Sequence, residues 1–129
     1  MLKKSLVIAL ICQSFFSMNV LAEEACLLET NAVFLGINIE VKDCVQNAGM
    51  GKDNFKAQCE GFSQAAVDLG GPAAKITYLA SCPEPFQAKC DNTQTAKAIY
   101  FYYKRSPEEA EGLKSSCELF QGKYTKGEL

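Results

Sequence analysis

The sequence predicts a small α+β domain, held by disulfides, in which two helices lie on one face of an antiparallel sheet of three to four strands. Three observations lead there. Apolar residues alternate in "VFLGINIEV" (Val33 to Val41), and "AIYFYYKR" (Ala98 to Arg105) is rich in aromatic and branched side chains, as strands are. Two other segments carry apolar stripes at spacings of three and four, the mark of helices. Six cysteines remain in the chain after residue 22, an even number in a short domain.

The first 22 residues are expected to leave. Lys3 and Lys4 form a positive start, Ser5 to Leu21 is mostly apolar, and Val20-Leu21-Ala22 puts small or branched residues before a cut at Glu23. That is the pattern of a secretory signal peptide. Cys12-Gln13-Ser14, Ser17 and Asn19 break the apolar run, so it makes a poor membrane span. Ile11 before Cys12 is too bulky for a lipoprotein signal. Residues 1–22 are therefore expected to be a cleaved leader of bacterial type. Residues 23–129 form a single domain bound for the periplasm or the medium, with no membrane insertion after cleavage.

Charge and sulfur narrow the function. Without Lys3 and Lys4 the chain has 11 basic and 15 acidic residues, a net charge of −4. Nucleic-acid partners are disfavoured, because phosphate binding is driven by Lys and Arg. Cys26, Cys44, Cys59, Cys82, Cys90 and Cys117 read as three structural disulfides, and no spacing is C-x-x-C. Fifteen pairings are open to six cysteines.

Along the chain, "NAGMGKDN" is a loop, and Asp53 or Asn54 can cap the helix whose stripe is Phe55, Cys59, Phe62, Ala66 and Leu69. Gly70-Gly71-Pro72 stops it. "KITYLAS" (Lys75 to Ser81) is a shorter strand, and "CPEPFQAKCDNTQ" is a loop. "SPEE" (Ser106 to Glu109) is a helix start with Ser at N-cap, Pro at N1 and Glu at N3. Ala110, Leu113, Cys117 and Phe120 form the stripe of this second helix, Gly122 ends it, and "KYT" (Lys123 to Thr125) supplies a short last strand. "FKAQCEGF" (Phe55 to Phe62) resembles "LKSSCELF" (Leu113 to Phe120), which suggests a repeated β-α-β unit. The cysteines of the two copies, Cys59 and Cys117, either staple each helix to the core or approach one another across an axis between the units.

The order of elements is then β-α-β-β-α-β, similar to a ferredoxin-like unit, with the two strong strands central and the weak ones at the edges. Helices on one face leave the other open. Ile99 and Phe101 are expected under the helices, and Tyr100 and Tyr102 on the open face beside Asn38 and Glu40. Tyrosine suits a half-wet contact surface. Tyr100, Tyr102 and Phe86 are therefore the candidate partner-binding residues. Packing of the tyrosines against neighbouring strands, or cover by the proline-containing loop, is the structural alternative.

Catalytic chemistry is sparse. The chain has no histidine, which removes Ser-His-Asp and Cys-His arrangements and the commonest metal ligand. "GMGKDN" lacks the first glycine and the final Ser or Thr of a phosphate loop. Glu40, Asp43 and Glu84 are acids, but nothing singles out a glycosidase pair. No catalytic, cofactor-binding or metal-ligating residue is expected. The expectation is a non-enzymatic exported module that binds another exported or envelope protein, as an accessory subunit of an envelope assembly or an inhibitor of an exported enzyme. The alternatives are a binder of a small molecule or glycan (weakly, a hydrolase), with a pocket rimmed by Glu84, Phe86 and Tyr102, or a secreted effector.

Overall fold

A computed structural model describes residues 23–129, and the expected leader lies outside them. The fold is α+β: β1 (Ala25–Phe34), β2 (Ile37–Asn47), α1 (Lys52–Asp68), β3 (Lys75–Leu79), β4 (Ala88–Asn92), the single turn α2 (Thr93–Ala96), β5 (Ala98–Tyr102), α3 (Pro107–Leu119) and β6 (Lys123–Lys126). The six strands form one antiparallel sheet in the order β3-β1-β2-β5-β4-β6.

The sheet has more strands than the three to four expected, for two local reasons. "VFLGINIEV" is a hairpin rather than one strand. Leu35 and Gly36 both take positive φ, 50° and 76°, making a two-residue turn of the kind that matches strand twist. Such a turn keeps the period of two running through it, so alternation alone hides it. Val33 pairs with Asn38, and therefore stands on the side of the ribbon opposite Ile37, Ile39 and Val41. The second reason is "AKCDN", which lies inside the expected loop and pairs with both β5 and β6.

The order of elements consequently differs from β-α-β-β-α-β, since a hairpin rather than a single strand precedes each long helix. The unit β1-β2-α1-β3 is matched by β4-β5-α3-β6, and the sheet order places the two about an axis between β2 and β5. One row of residues shows the match. Tyr78, Cys26, Val45, Tyr100, Cys90 and Tyr124 are successive partners across all six strands. Tyrosines stand at its two ends and cysteines second from each end. The weak β3 and β6 are the edges and β5 is central, as expected, but Val33–Val41, expected as the other central strand, lies in the exposed end of the β1–β2 hairpin, outside the part of β2 that pairs with β5 (Asp43–Asn47).

Each row cysteine is bonded to the helix of its own unit, Cys26 to Cys59 and Cys90 to Cys117. Cys59 and Cys117 therefore do not meet across the axis. Both helices end in paired backbone bonds that satisfy their last carbonyls: the N–H of Gly71 donates to Ala66, and that of Gly122 to Cys117. The start of α3 has the full capping box between Ser106 and Glu109. The start of α1 is Gly51, and no side chain caps it, contrary to the expectation for Asp53 or Asn54, which lie within the first turn.

Both faces of the sheet carry cover, so the fully open face expected from the sequence is not formed. Cys26, Leu28, Val45 and Ala98 pack with Phe55 and Cys59 under α1. The opposite face carries Ala25, Leu27, Cys44, Ile99 and Phe101, covered by residues 80–87. The third disulfide, Cys44–Cys82, pins that segment down. Phe86 meets Phe101 edge to face at 5.2 Å, and the Tyr103 hydroxyl donates to the Pro83 carbonyl at 2.7 Å.

Candidate functional site

The helices sit over the wings of the sheet. α1 packs chiefly on β1 and β3, and α3 on β4 and β6; Phe55 and Cys59 of α1 share a core with Val45 and Ala98, so the central pair β2 and β5 is only partly covered. The result is a cleft of about 910 Å³. Its floor is Val41, Asp43 and Val45 from β2 with Tyr100 and Tyr102 from β5. One wall is Phe62 and Ala66 of α1 with Leu69 at its C-cap; the other is Leu113 and Ser116 of α3 with Phe120 at its C-cap.

The walls consist of residues whose spacing assigns them to the core. Each stripe is wider than the contact its helix makes with the sheet. Phe55 and Cys59 of α1 and Cys117 of α3 are buried, and the far end of each stripe is not. Phe62 is 41% exposed, Leu69 80% and Phe120 65%. Burial of a large apolar side chain is worth roughly 1.5–3 kcal/mol, so several such residues around one cavity form an unspent contact surface.

Tyr100 and Tyr102 thus lie on the helix-side face, not the face opposite. Pairing of Tyr100 with Val45 and Cys90 fixes this, since those two residues lie on the side that carries the helices. The ring of Phe62 meets Tyr100 edge to face at 6.3 Å, and the Gln58 amide donates to the Tyr100 hydroxyl at 3.5 Å. Tyr102 is deeper in polar company: the Arg105 guanidinium lies 5.2 Å from its ring centre. Burial, then the charge of Asp43, raises the Tyr102 hydroxyl pKa above its ordinary value. Ile99 and Phe101, expected under the helices, belong to the other core.

Phe86 is separated from the tyrosines by the sheet itself. It packs on Phe101, and Lys89 extends over both rings. No pocket rimmed jointly by Glu84, Phe86 and Tyr102 therefore exists among the described residues.

Polar chemistry in the cleft centres on a pair that no sequence pattern singles out. Arg105 donates to Asp43 at 2.5 Å, and both side chains are largely buried. Burial nonetheless raises the Asp43 carboxyl pKa, with Arg105 opposing the rise. "KR" after β5 is thus an ion-pair donor to the strand beside it: Lys104 likewise pairs with Glu40. Among the described residues, Asp43 and Arg105 are the only charged side chains lining the cleft, and they face each other. Beyond Val41 the same face of β2 continues along the ribbon through Ile39 and Ile37, both exposed.

Among the described residues, no helix is long and apolar enough to cross a membrane. Compared with known protein families, with curated proteins and with solved structures, the chain has no significant match.

Proposed function

We propose that this chain is an exported, non-enzymatic module that binds another exported or envelope protein through the cleft between α1 and α3, either within an envelope assembly or to inhibit an exported enzyme. The observation that carries the reading is the exposure of Phe62, Leu69 and Phe120 around one apolar cavity floored by tyrosines. Aromatic residues with few unpaired charges are the composition of an interface centre. Disulfides on both faces give a rigid frame, which lowers the ordering cost of association. The chemistry of the lining also supports binding over catalysis: it has one carboxylate, already paired, and no histidine.

The test is affinity capture from envelope extracts with the processed chain and with Leu69→Glu/Phe120→Glu. Both positions are exposed, so the variant should fold and keep its disulfides. Partners that the wild type retains and the folded variant loses support the reading. Equal capture by both means that the cleft is not the contact surface.

A further inference from the structure

We infer that the end of the β1–β2 hairpin joins two copies of this chain, β2 of one pairing antiparallel with β2 of the other around Asn38. This contact lies apart from the cleft and stands or falls separately from the function proposed for it.

The hairpin outruns its neighbours. β3 pairs with β1 only over Ala25–Glu29, and β5 with β2 only over Asp43–Asn47. From Thr30↔Val41 to Phe34↔Ile37 the two strands have only each other. A two-stranded ribbon alone in water is marginally stable. This one has no charged residue from Thr30 to Ile39. It exposes Val33 toward one side, Ile37 and Ile39 toward the other, and Leu35 at its tip.

Backbone direction tells which edge is open. The Tyr103 N–H donates to the Lys42 carbonyl at 3.1 Å, next to the Asp43–Tyr102 pair. Even-numbered residues of β2 therefore turn their N–H and C=O groups toward the β5 side. β5 ends at Tyr102, and the chain then leaves for α3. Asn38 and Glu40 aim at that side where no strand lies, and among the described residues neither makes a backbone bond there. The β1 edge is less open: the Thr30 hydroxyl donates to the Pro72 carbonyl, and Gly71 lies against Ala32.

The outer strands β3 and β6 are short and carry Lys75, Lys123 and Lys126, residues that discourage pairing with another chain. Ile37 to Glu40 are all exposed, with no lysine, proline or bulge among them. Lipid around this ribbon would leave the Asn38 and Glu40 backbone unanswered. An added strand answers it.

A second copy brings that strand in matching form. Centred on Asn38, antiparallel pairing sets Asn38 against Asn38 and Ile37 against Ile39 of the other copy. The isoleucines of both copies then share one face of a continuous sheet. Other centres conflict. Centring on Glu40 puts like charges opposite one another. Centring on Ile39 brings the incoming turn to the position opposite Lys42, which Tyr103 occupies. Centring on Asn38 stops Gly36 of the other copy at Glu40, whose charge is paired with Lys104. The contact is the same patch on both copies, so it closes at a dimer. It is small, and a dissociation constant of about 10–100 µM is expected.

Sedimentation equilibrium of the processed chain from about 1 µM to about 1 mM should show monomer passing to dimer. Asn38→Pro removes the N–H that faces the open edge and spares the odd-numbered residues that bond β1, as well as every apolar side chain. It should weaken the dimer at least about tenfold. Ile39→Lys, which leaves the backbone intact, should act likewise. A wild type that stays monomeric overturns the pairing, as does a dimer undiminished in folded Asn38→Pro. Growth beyond the dimer overturns the two-fold contact. Amide exchange in the wild type needs no variant: the Asn38 N–H should exchange more slowly at the high concentration than at the low one. Equal rates overturn the pairing.

Discussion

Asp43 and Arg105, 62 residues apart in sequence, meet at 2.5 Å on the floor between the two long helices. The pair is unequal. Burial raises the Asp43 pKa more than Arg105 lowers it, so the carboxylate is the strained member. Arg105→Gln strands that carboxylate and should cost about 2 kcal/mol, below the range for fully buried pairs because both side chains keep some solvent contact. Asp43→Asn should cost less than Arg105→Gln, since arginine remains hydrated at its edge and stacked near Tyr102. The pH dependence has a definite sign. With its pKa raised in the fold, Asp43 contributes stability that is complete below its ordinary value of 3.8 and is lost as pH rises through the folded value. Urea midpoints from pH 3 to 7 should therefore show the wild type losing ground to Asp43→Asn as pH increases.

Tyr103 gives the alkaline counterpart. Burial, followed by the charges of Glu84 and Asp43, pushes its pKa up to about 12. The protonated hydroxyl donates to the Pro83 carbonyl and helps hold the covering segment on the sheet. Below pH 10 that contribution is complete. Between the unfolded value near 10 and the folded value near 12 it is lost, because the unfolded chain releases the proton first. Tyr103→Phe should start less stable and lose less across that window. Chemical denaturation of both proteins at pH 9, 10 and 11 measures the difference in slope, and parallel curves would show that the hydroxyl is not held.

Two glycines in or after α3 should respond oppositely to alanine. A Cβ on Gly122 would fall 2.6 Å from the Cys90 sulfur and 2.8 Å from that of Cys117, so Gly122 is the space the second helix disulfide needs. Gly122→Ala must shift that bridge or the strand beneath it and should cost about 1–3 kcal/mol. Gly112 lies inside α3 with open space beyond its α-carbon. Gly112→Ala should stabilise by about 0.5–1 kcal/mol through backbone entropy alone. Thermal midpoints of the two variants, measured with the disulfides intact, should move in opposite directions.

The same contrast between local and distant causes separates what the sequence reveals from what it hides. "SPEE" specifies a helix start because the cap is local chemistry, and the capping box forms there. β5 is central and the weak β3 and β6 are peripheral, because a strand covered on both sides needs more apolar residues than an edge. The turn at Leu35-Gly36 is hidden by a leucine in a conformation that favours glycine or asparagine. "AKCDN" is hidden because it has little strand character and is held by neighbours distant in sequence. The tyrosines stand out in the sequence, yet they lie on the side opposite to the one expected. Parity along one strand says which residues share a face, not which face meets the helices. That choice rests on disulfide pairing, which spacing leaves open. The cleft is legible only as an excess, two helical stripes each longer than a single layer of contact consumes.

Disulfide removal should therefore separate the frame from the cleft. Cys26–Cys59, Cys44–Cys82 and Cys90–Cys117 span 33, 38 and 27 residues, and the chain-entropy model gives each about 3.5–4 kcal/mol. Similar global losses are expected for the three paired Cys→Ser variants, but the local consequences differ. Without Cys44–Cys82, residues 80–87 lose their tether, and amides facing Phe101 should exchange faster while the helices stay protected. Without Cys26–Cys59 or Cys90–Cys117, one cleft wall is freed, and protection should fall along α1 or α3 respectively. Hydrogen exchange read by mass spectrometry distinguishes these patterns. Partner capture should follow the walls: retained when Cys44–Cys82 is removed, and weakened when either helix bridge is lost. Capture that instead depended on Cys44–Cys82 alone would move the binding surface to the face that carries Phe86.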